Sequence, residues 1–375
     1  MTGINFSDDI HARGRKLHLQ TNTLEADQKI ISTLYDGGRV LCQDSGYYSS
    51  RHSTEQLKKE IEVYHSKKIE EIELLYLISA KVKTVRHPLS LNMLGLQFLK
   101  WNLLDEAISE LELVIQYQPQ YGEAYLSLGE AYYRRGGLSE AEQYLEKGVQ
   151  VAPRYADLWQ KLGRICLAQE QYKKSIEAFQ SALKINPTYD EAHFMMAVCL
   201  TEALAKGIQE KGFPQGEICQ KQIKEHLSRA AASSSRFTVP AFEQAMRMFH
   251  RSEVKGTLEL LRKVDEDLTP IIDLNFHHAF YLKYMFGDEG RDAKSIQDYV
   301  QQLEALIKKH PTFPDLHNML GVAYLIQCRG LFNKALHEIN RACEINPEYE
   351  RAKRNLKLAK NEGKGFLILL RSLLK

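Results

Sequence analysis

The sequence predicts a mainly α fold, a solenoid of helix pairs carrying a small N-terminal antiparallel β module. Three observations predict it. Glycines, prolines and apolar residues recur every 34 positions through the middle of the chain. The first fifty residues instead alternate apolar with polar at a period of two. The 375-residue composition, 44% hydrophobic with Gly 22 and Pro 10, supplies packed cores and is neither collagen-like nor low-complexity.

The β module is expected over 1–52. Leu17, Leu19 and Thr21 alternate with His18 and Gln20, so one side of a strand faces a core. Ile30 to Tyr35 is β-branched and aromatic, and Asp36-Gly37-Gly38 separates it from Arg39-Val40-Leu41-Cys42, a hairpin signal. Arg13-Gly14-Arg15 reads as an earlier turn. A sheet of three or four strands buries little by itself, so it should lean on a helix or dimerise. Asp8-Asp9 reads as a solvated strand end with no base or nucleophile beside it. A linking helix follows over 53–84. Ser53-Thr54-Glu55-Gln56 is a capping-box start, and Leu57, Ile61, Tyr64, Ile72, Leu75 and Val82 mark an apolar stripe.

The repeats then begin. Gly95, Gly129 and Gly163 are spaced by 34, as are Pro119, Pro153 and Pro187, and Leu94, Leu128 and Leu162. Ala107, Ala141 and Ser175 keep the same phase, as do Leu91, Tyr125 and Trp159, and Leu111, Leu145 and Phe179. Each unit reads as two helices. Tyr125, Leu128, Gly129 and Tyr132 share one face of the first, Gly136-Gly137 breaks it, and the second stops at Ala152-Pro153. Small residues at Gly129, Ala141 and Gly148 let the two helices approach closely.

These columns resemble the tetratricopeptide repeat, a 34-residue helix-turn-helix unit, over 88–121, 122–155 and 156–189. A fourth unit starts at 190 with Ala192, Met196, Ala197 and Leu200, which carries the repeats to 206. Residues 207–313 are degenerate helical pairs: an inserted loop over 207–220, a displaced second helix over 221–235, and helices at 240–266, 273–286 and 292–310. A late unit recurs at 314–349, with Leu320-Gly321, Tyr324, Ala335, Ala342 and Pro347. Its Gly321-to-Ala335 step is 14 against 12 for Gly95-to-Ala107, so two extra residues are expected in an inter-helix turn near Cys328 to Leu331. Residues 350–375 carry eight Lys/Arg against two Glu and end in an apolar tail, Phe366, Leu367, Leu370 and Leu373 among it. Three destinations for that tail stay open: the last repeat, a partner or second copy, or a membrane surface helped by the upstream charge.

The resemblance implies a groove lined by first helices. Its polar positions are Glu130, Arg134, Lys161 and Arg164. Its apolar ends are Met93 and Leu96 in the first unit and Phe194 and Met195 in the fourth; they suit a peptide or amphipathic helix from a protein partner, or else are covered already by the 53–82 helix and the 207–235 segment. Family members that clamp a C-terminal carboxylate use Lys and Asn at such positions. Asn92 matches one column, and Leu96 stands where an Asn would be needed.

Other chemistries find little support. Lys+Arg 50 against Asp+Glu 48 leaves +2, without the basic excess of a nucleic-acid binder, and Glu123, Glu130, Asp157, Glu191 and Glu202 fall where a basic groove would be required. No phosphate-loop, dinucleotide, nucleophile-elbow or zinc-protease motif occurs, so no cofactor and no catalytic residue is expected. His277-His278 and the pair His310 and His317 lack further ligands at metal spacing and read as helix-face residues. The six cysteines form no CxxC pair and read as free thiols, with Cys166 and Cys199 in the core. No signal peptide and no apolar run of spanning length is apparent, and a cytoplasmic setting is expected. The expected function is non-enzymatic, a scaffold or adaptor binding a partner peptide or helix. The alternatives are a membrane-peripheral assembly factor anchored by the tail and a non-catalytic subunit of an enzyme complex. Homo-oligomerisation is compatible with each.

Overall fold

The structure is a computed structural model that describes residues 4–24, 27–48, 53–209, 213–268, 273–287, 291–311, 313–345, 353–357 and 359–360. It divides into two compact units, Met1–Ile271 and Ile272–Lys375.

The first unit opens with four strands, β1 Asn5–Ala12, β2 Arg15–Leu24, β3 Lys29–Asp36 and β4 Arg39–Tyr47. Each pairs antiparallel with the next, so the sheet order is the chain order. The period-two pattern decides which side is covered: Ile10, Leu17, Leu19, Ile30 and Leu34 are buried. The covering element is α1, Thr54–Val85. It starts in the expected capping box, Gln56 N–H donating to Ser53 Oγ and Ser53 N–H donating to Gln56 Oε1. It buries Ile61, Ile72, Leu75, Ile78 and Val82.

Four helix pairs follow. They are α2 Pro88–Lys100 with α3 Leu104–Tyr117, α4 Gly122–Arg135 with α5 Leu138–Val151, α6 Ala156–Ala168 with α7 Tyr172–Ile185, and α8 Asp190–Ala205 with α9 Gly216–Ser233. The repeated columns have mechanical reasons. A Cβ placed on Gly129 would lie 2.6 Å from Leu145 Cγ, so only glycine lets α4 approach α5 so closely; the same closeness holds at Gly95 with Leu111 and Gly163 with Phe179. The turn between paired helices needs one left-handed residue, supplied one repeat apart by Asn102 (φ 53°), Gly136 (φ 88°) and Glu170 (φ 60°). The column of Tyr125, Trp159 and His193 ties each unit to the preceding turn. Tyr125 Oη, Trp159 Nε1 and His193 Nε2 lie 3.0, 2.9 and 3.0 Å from the carbonyls of Pro119, Pro153 and Pro187. After a 3₁₀ turn at Ser235–Phe237 come α10 Pro240–His250 and α11 Val254–Asp267. The chain reverses between them at Ser252 (φ 63°).

The second unit holds α12 Asn275–Phe286, α13 Ala293–Lys309 and α14 Pro314–Ile345. One expectation is corrected here. The turn near Cys328 to Leu331 is absent, and α14 runs unbroken for 32 residues. Cys328 stands where Asn102, Gly136 and Glu170 turn the chain, and neither it nor Gly330 leaves the helix. The first half of α14 nevertheless keeps the repeat's tie, with His317 Nε2 2.9 Å from the Pro311 carbonyl. Pro347 and the tail residues Phe366, Leu367, Leu370 and Leu373 lie outside the described residues. Among the described residues no helix is long and apolar enough to cross a membrane.

Candidate functional site

The first helices α2, α4, α6 and α8 are joined side by side by polar side chains about one repeat apart. The Arg134 guanidinium donates to the Leu99 carbonyl at 3.1 Å and to Glu130 Oε1 at 2.5 Å. Lys161 Nζ donates to Glu130 Oε2 at 2.8 Å. Gln160 donates to Glu191 Oε1 at 3.0 Å, and Arg164 lies 3.4 Å from the same oxygen. Arg164 also donates to both carboxylate oxygens of Asp265 on α11, at 2.9 and 3.0 Å. This planar two-point contact is the strongest arrangement an Arg–carboxylate pair offers.

The strip is electrostatically settled. Burial pushes the Glu130 carboxyl pKa up, but Lys161 and Arg134 outweigh it and hold the pKa down at about 2. Burial works against the Arg164 charge, and Asp265 and Glu191 reverse that and raise its pKa. Glu202, at the end of α8, is opposed by burial but kept ionised by Arg262 at 2.9 Å and Lys206 at 3.1 Å.

The polar residues read from the sequence, Glu130, Arg134, Lys161 and Arg164, are therefore brought onto one face. The apolar ones are not left open on it. Phe194 is fully buried, its ring 4.9 Å from that of Phe237 and 6.2 Å from that of Phe242. Met195 is 4% exposed, with its sulfur 3.4 Å from Arg164. The open apolar end expected at the fourth unit is thus covered by the chain itself, because α11 packs along α8 and the Phe237–Phe242 turn seals it. Met93 is buried too, and Leu96 is half-buried. One residue was missed: Tyr133, 42% exposed and next to Arg134 on α4. It occupies the column of Leu99 and Leu167, both buried, and a tyrosine in that column was the available signal.

Elsewhere, Asp8 and Asp9 are exposed as expected, but they lie in the middle of β1 and a base stands beside Asp8. Asp9 does pair with Lys16 and His18 at the surface. Asp8 Oδ2, however, lies 3.1 Å from His65 Nε2, and His65 Nδ1 is 2.7 Å from Thr21 Oγ1, itself 2.7 Å from Ser32 Oγ. The order carboxylate, imidazole, hydroxyl is that of a nucleophile relay, but Thr21 and Ser32 are fully buried and no substrate reaches them. The network joins the sheet to α1. His65 falls four residues after Ile61, on the apolar stripe, which placed it inside. His277 Nδ1 meets Tyr299 Oη at 2.6 Å, and burial pushes both His277 and His278 down to about 4. His310 is half-buried, and His317 makes the turn contact described above. Among the described residues no group of three or more His, Cys, Asp or Glu could hold a metal ion. Cys166 and Cys199 are fully buried, and burial pushes both thiols up to about 12, away from reactivity.

Comparison with known proteins agrees with the repeat columns. Two tetratricopeptide-repeat family profiles match, one over residues 102–165 and one over 156–189. No curated protein matches the sequence. Among solved structures, the chain is similar to PilF of Pseudomonas aeruginosa, at 14% identity over 62% of this chain and 96% of that one, TM-score 0.37. It is similar to YrrB, described as a TPR protein with an unusual peptide-binding site, at 17% identity over 53% and 96%, TM-score 0.36. It is also similar to the first TPR of Spaghetti (RPAP3), solved with an HSP90 peptide, at 21% identity over 32% and 93%, TM-score 0.30.

Proposed function

We propose, from the tetratricopeptide repeats matched over residues 102–189, that the chain is a non-enzymatic scaffold which holds a segment of another protein against the first-helix face of its repeats. One observation carries the reading. Glu130, Arg134, Lys161 and Arg164 converge on a single face, with Tyr133 and Arg134 standing 42% and 43% exposed in its middle. An exposed tyrosine beside a cation is a typical anchor for a partner, since it gives large contact area at low conformational cost. The closed apolar end at Phe194 and Met195 limits the proposed groove to the stretch formed by α2, α4 and α6.

This geometry also selects the test. Reversing Lys161 and Arg164 to Glu would set like charges against Glu130, Asp265 and Glu191, so it would probe folding rather than binding. Tyr133→Ala with Arg134→Ala removes the exposed anchor and leaves the Lys161–Glu130 and Arg164–Asp265 pairs in place. Quantitative affinity capture with the full chain should lose its specific partners by roughly tenfold or more, with circular dichroism verifying that the variant stays folded despite the lost Arg134 contacts to Glu130 and Leu99. Equal partner recovery by the folded double variant would contradict the reading.

A further inference from the structure

Among the described residues, the second half of α14 is a helix without a core. Its first half buries Leu316, Ala323 and Ile326, with Tyr299, Val300 and Leu303 of α13 in the same cluster as the first two. Beyond Ile326 no described residue of α14 is buried, and Leu331 is 66% exposed. Phe332, Leu336, Ile339 and Cys343 nevertheless form an apolar stripe at helical spacing. A helical stretch of that length is marginal in water without a packed face.

The repeat grammar identifies what that face is built to meet. In the first unit each repeat glycine accepts a large side chain from sixteen positions later: Leu111 on Gly95, Leu145 on Gly129, Phe179 on Gly163. Gly321 heads the same pattern, and its counterpart, displaced by the two extra residues, is Ile339, with Ala335 in the column of Ala107 and Ala141. Yet Gly321 is exposed and, among the described residues, has nothing within 4 Å of its Cβ position. On an unbroken helix Ile339 lies ~27 Å farther along the axis, so it cannot reach the glycine of its own chain.

We propose that a second copy of this chain fills the place. Residues 331–345 of each copy lie against the Gly321 face of the other, so that two chains exchange the second helix of their last repeat unit. Such an exchange is a closed twofold arrangement in which each copy gives what it receives. The straight passage through Cys328 is what makes it reciprocal, because it carries the second half away from its own first half. Tyr324, 46% exposed one turn after Gly321, borders the contact.

The test is the mass of the full chain by light scattering over a dilution series. The wild type is expected to be a dimer. Gly321→Leu blocks the contact and should weaken the dimer by roughly ten- to a hundredfold. Gly330→Leu is the matched control: it also has open space around it, and nine residues on it faces the opposite side of the helix. It should leave the dimer intact, with circular dichroism verifying that both variants keep their helix content. A monomeric wild type overturns the proposal. So does a dimer that survives Gly321→Leu, which would place the contact elsewhere. A chain that dimerises only after residues 365–375 are deleted overturns it too, since its own tail would then cover the stripe.

Discussion

Glu130 and Gly129 sit side by side on α4 and carry different burdens. Burial alone would raise the Glu130 pKa, but Lys161 and Arg134 hold it at about 2 against an ordinary 4.5. A carboxylate depressed in the folded state stabilises fully above the unfolded pKa, and that contribution is lost as pH falls from about 4.5 towards 2. Glu130→Gln should therefore cost on the order of 2 kcal/mol at pH 7, after screening of this partly exposed group. In urea melts the gap from wild type should narrow from about pH 4.5 downward and close only near pH 2. Gly129→Ala should destabilise by about 1–3 kcal/mol despite alanine's better helix propensity, because the added methyl meets Leu145 Cγ at 2.6 Å. A thermal melt reads it directly. Gly129 was legible in the sequence because its neighbour is sixteen residues away and the pairing recurs in the first three repeats. Glu130 and Lys161 were legible only as separate positions on the first-helix face, not as a pair. Tyr133 was not, because periodicity reports the common role of a column and its column is otherwise buried apolar.

Elements are held to one another by charges that leave no periodic trace. Arg15, at the first hairpin, donates to Glu106 on α3 at 2.6 and 2.7 Å and to Asp36 on β3 at 2.5 Å, while Tyr76 of α1 donates to Glu106 at 2.8 Å. Beside it the fully buried Glu110 takes Ser79 at 2.5 Å and Lys83 at 2.9 Å. Sheet, α1 and first repeat are thereby one body, which is how fifty β residues find a core. Arg15→Ala strands the buried Glu106 and should cost about 3 kcal/mol, with faster hydrogen exchange in β1–β4. Between α8 and α9, His193 Nδ1 and His226 Nδ1 lie 2.9 Å apart. Burial first, and then His193, push His226 down to about 4. A histidine kept neutral in the fold loses stability as pH falls from about 6.5 to 4, since the unfolded chain takes the proton first. His226→Gln should reduce the loss between pH 7 and 5.5 by about 1 kcal/mol. Helix pairs were readable because their signals are local. The cover over α8 was not, because Asp265 meets Arg164 across 101 residues of sequence. The unbroken α14 was misread because its apolar columns persist while its turn position carries Cys328.

At the scale of the molecule, two compact units share one composition, and a net charge of +2 says nothing of how charge is arranged within them. The first unit gathers Arg134, Lys161 and Arg164 on one helix face and neutralises them with its own carboxylates. It uses its best apolar first-helix residues, Phe194 and Met195, as internal core. A partner is left with a short polar strip anchored by Tyr133, which argues for selectivity through a few contacts rather than through a long apolar groove. The most direct measurement replaces Tyr133 with a photo-crosslinking phenylalanine analogue in the full chain and, in a parallel chain, replaces the exposed second-helix residue Gln143 on α5. A discrete crosslinked partner is expected from position 133 and none from 143. Crosslinking from 143 alone, or equally from both, would contradict it.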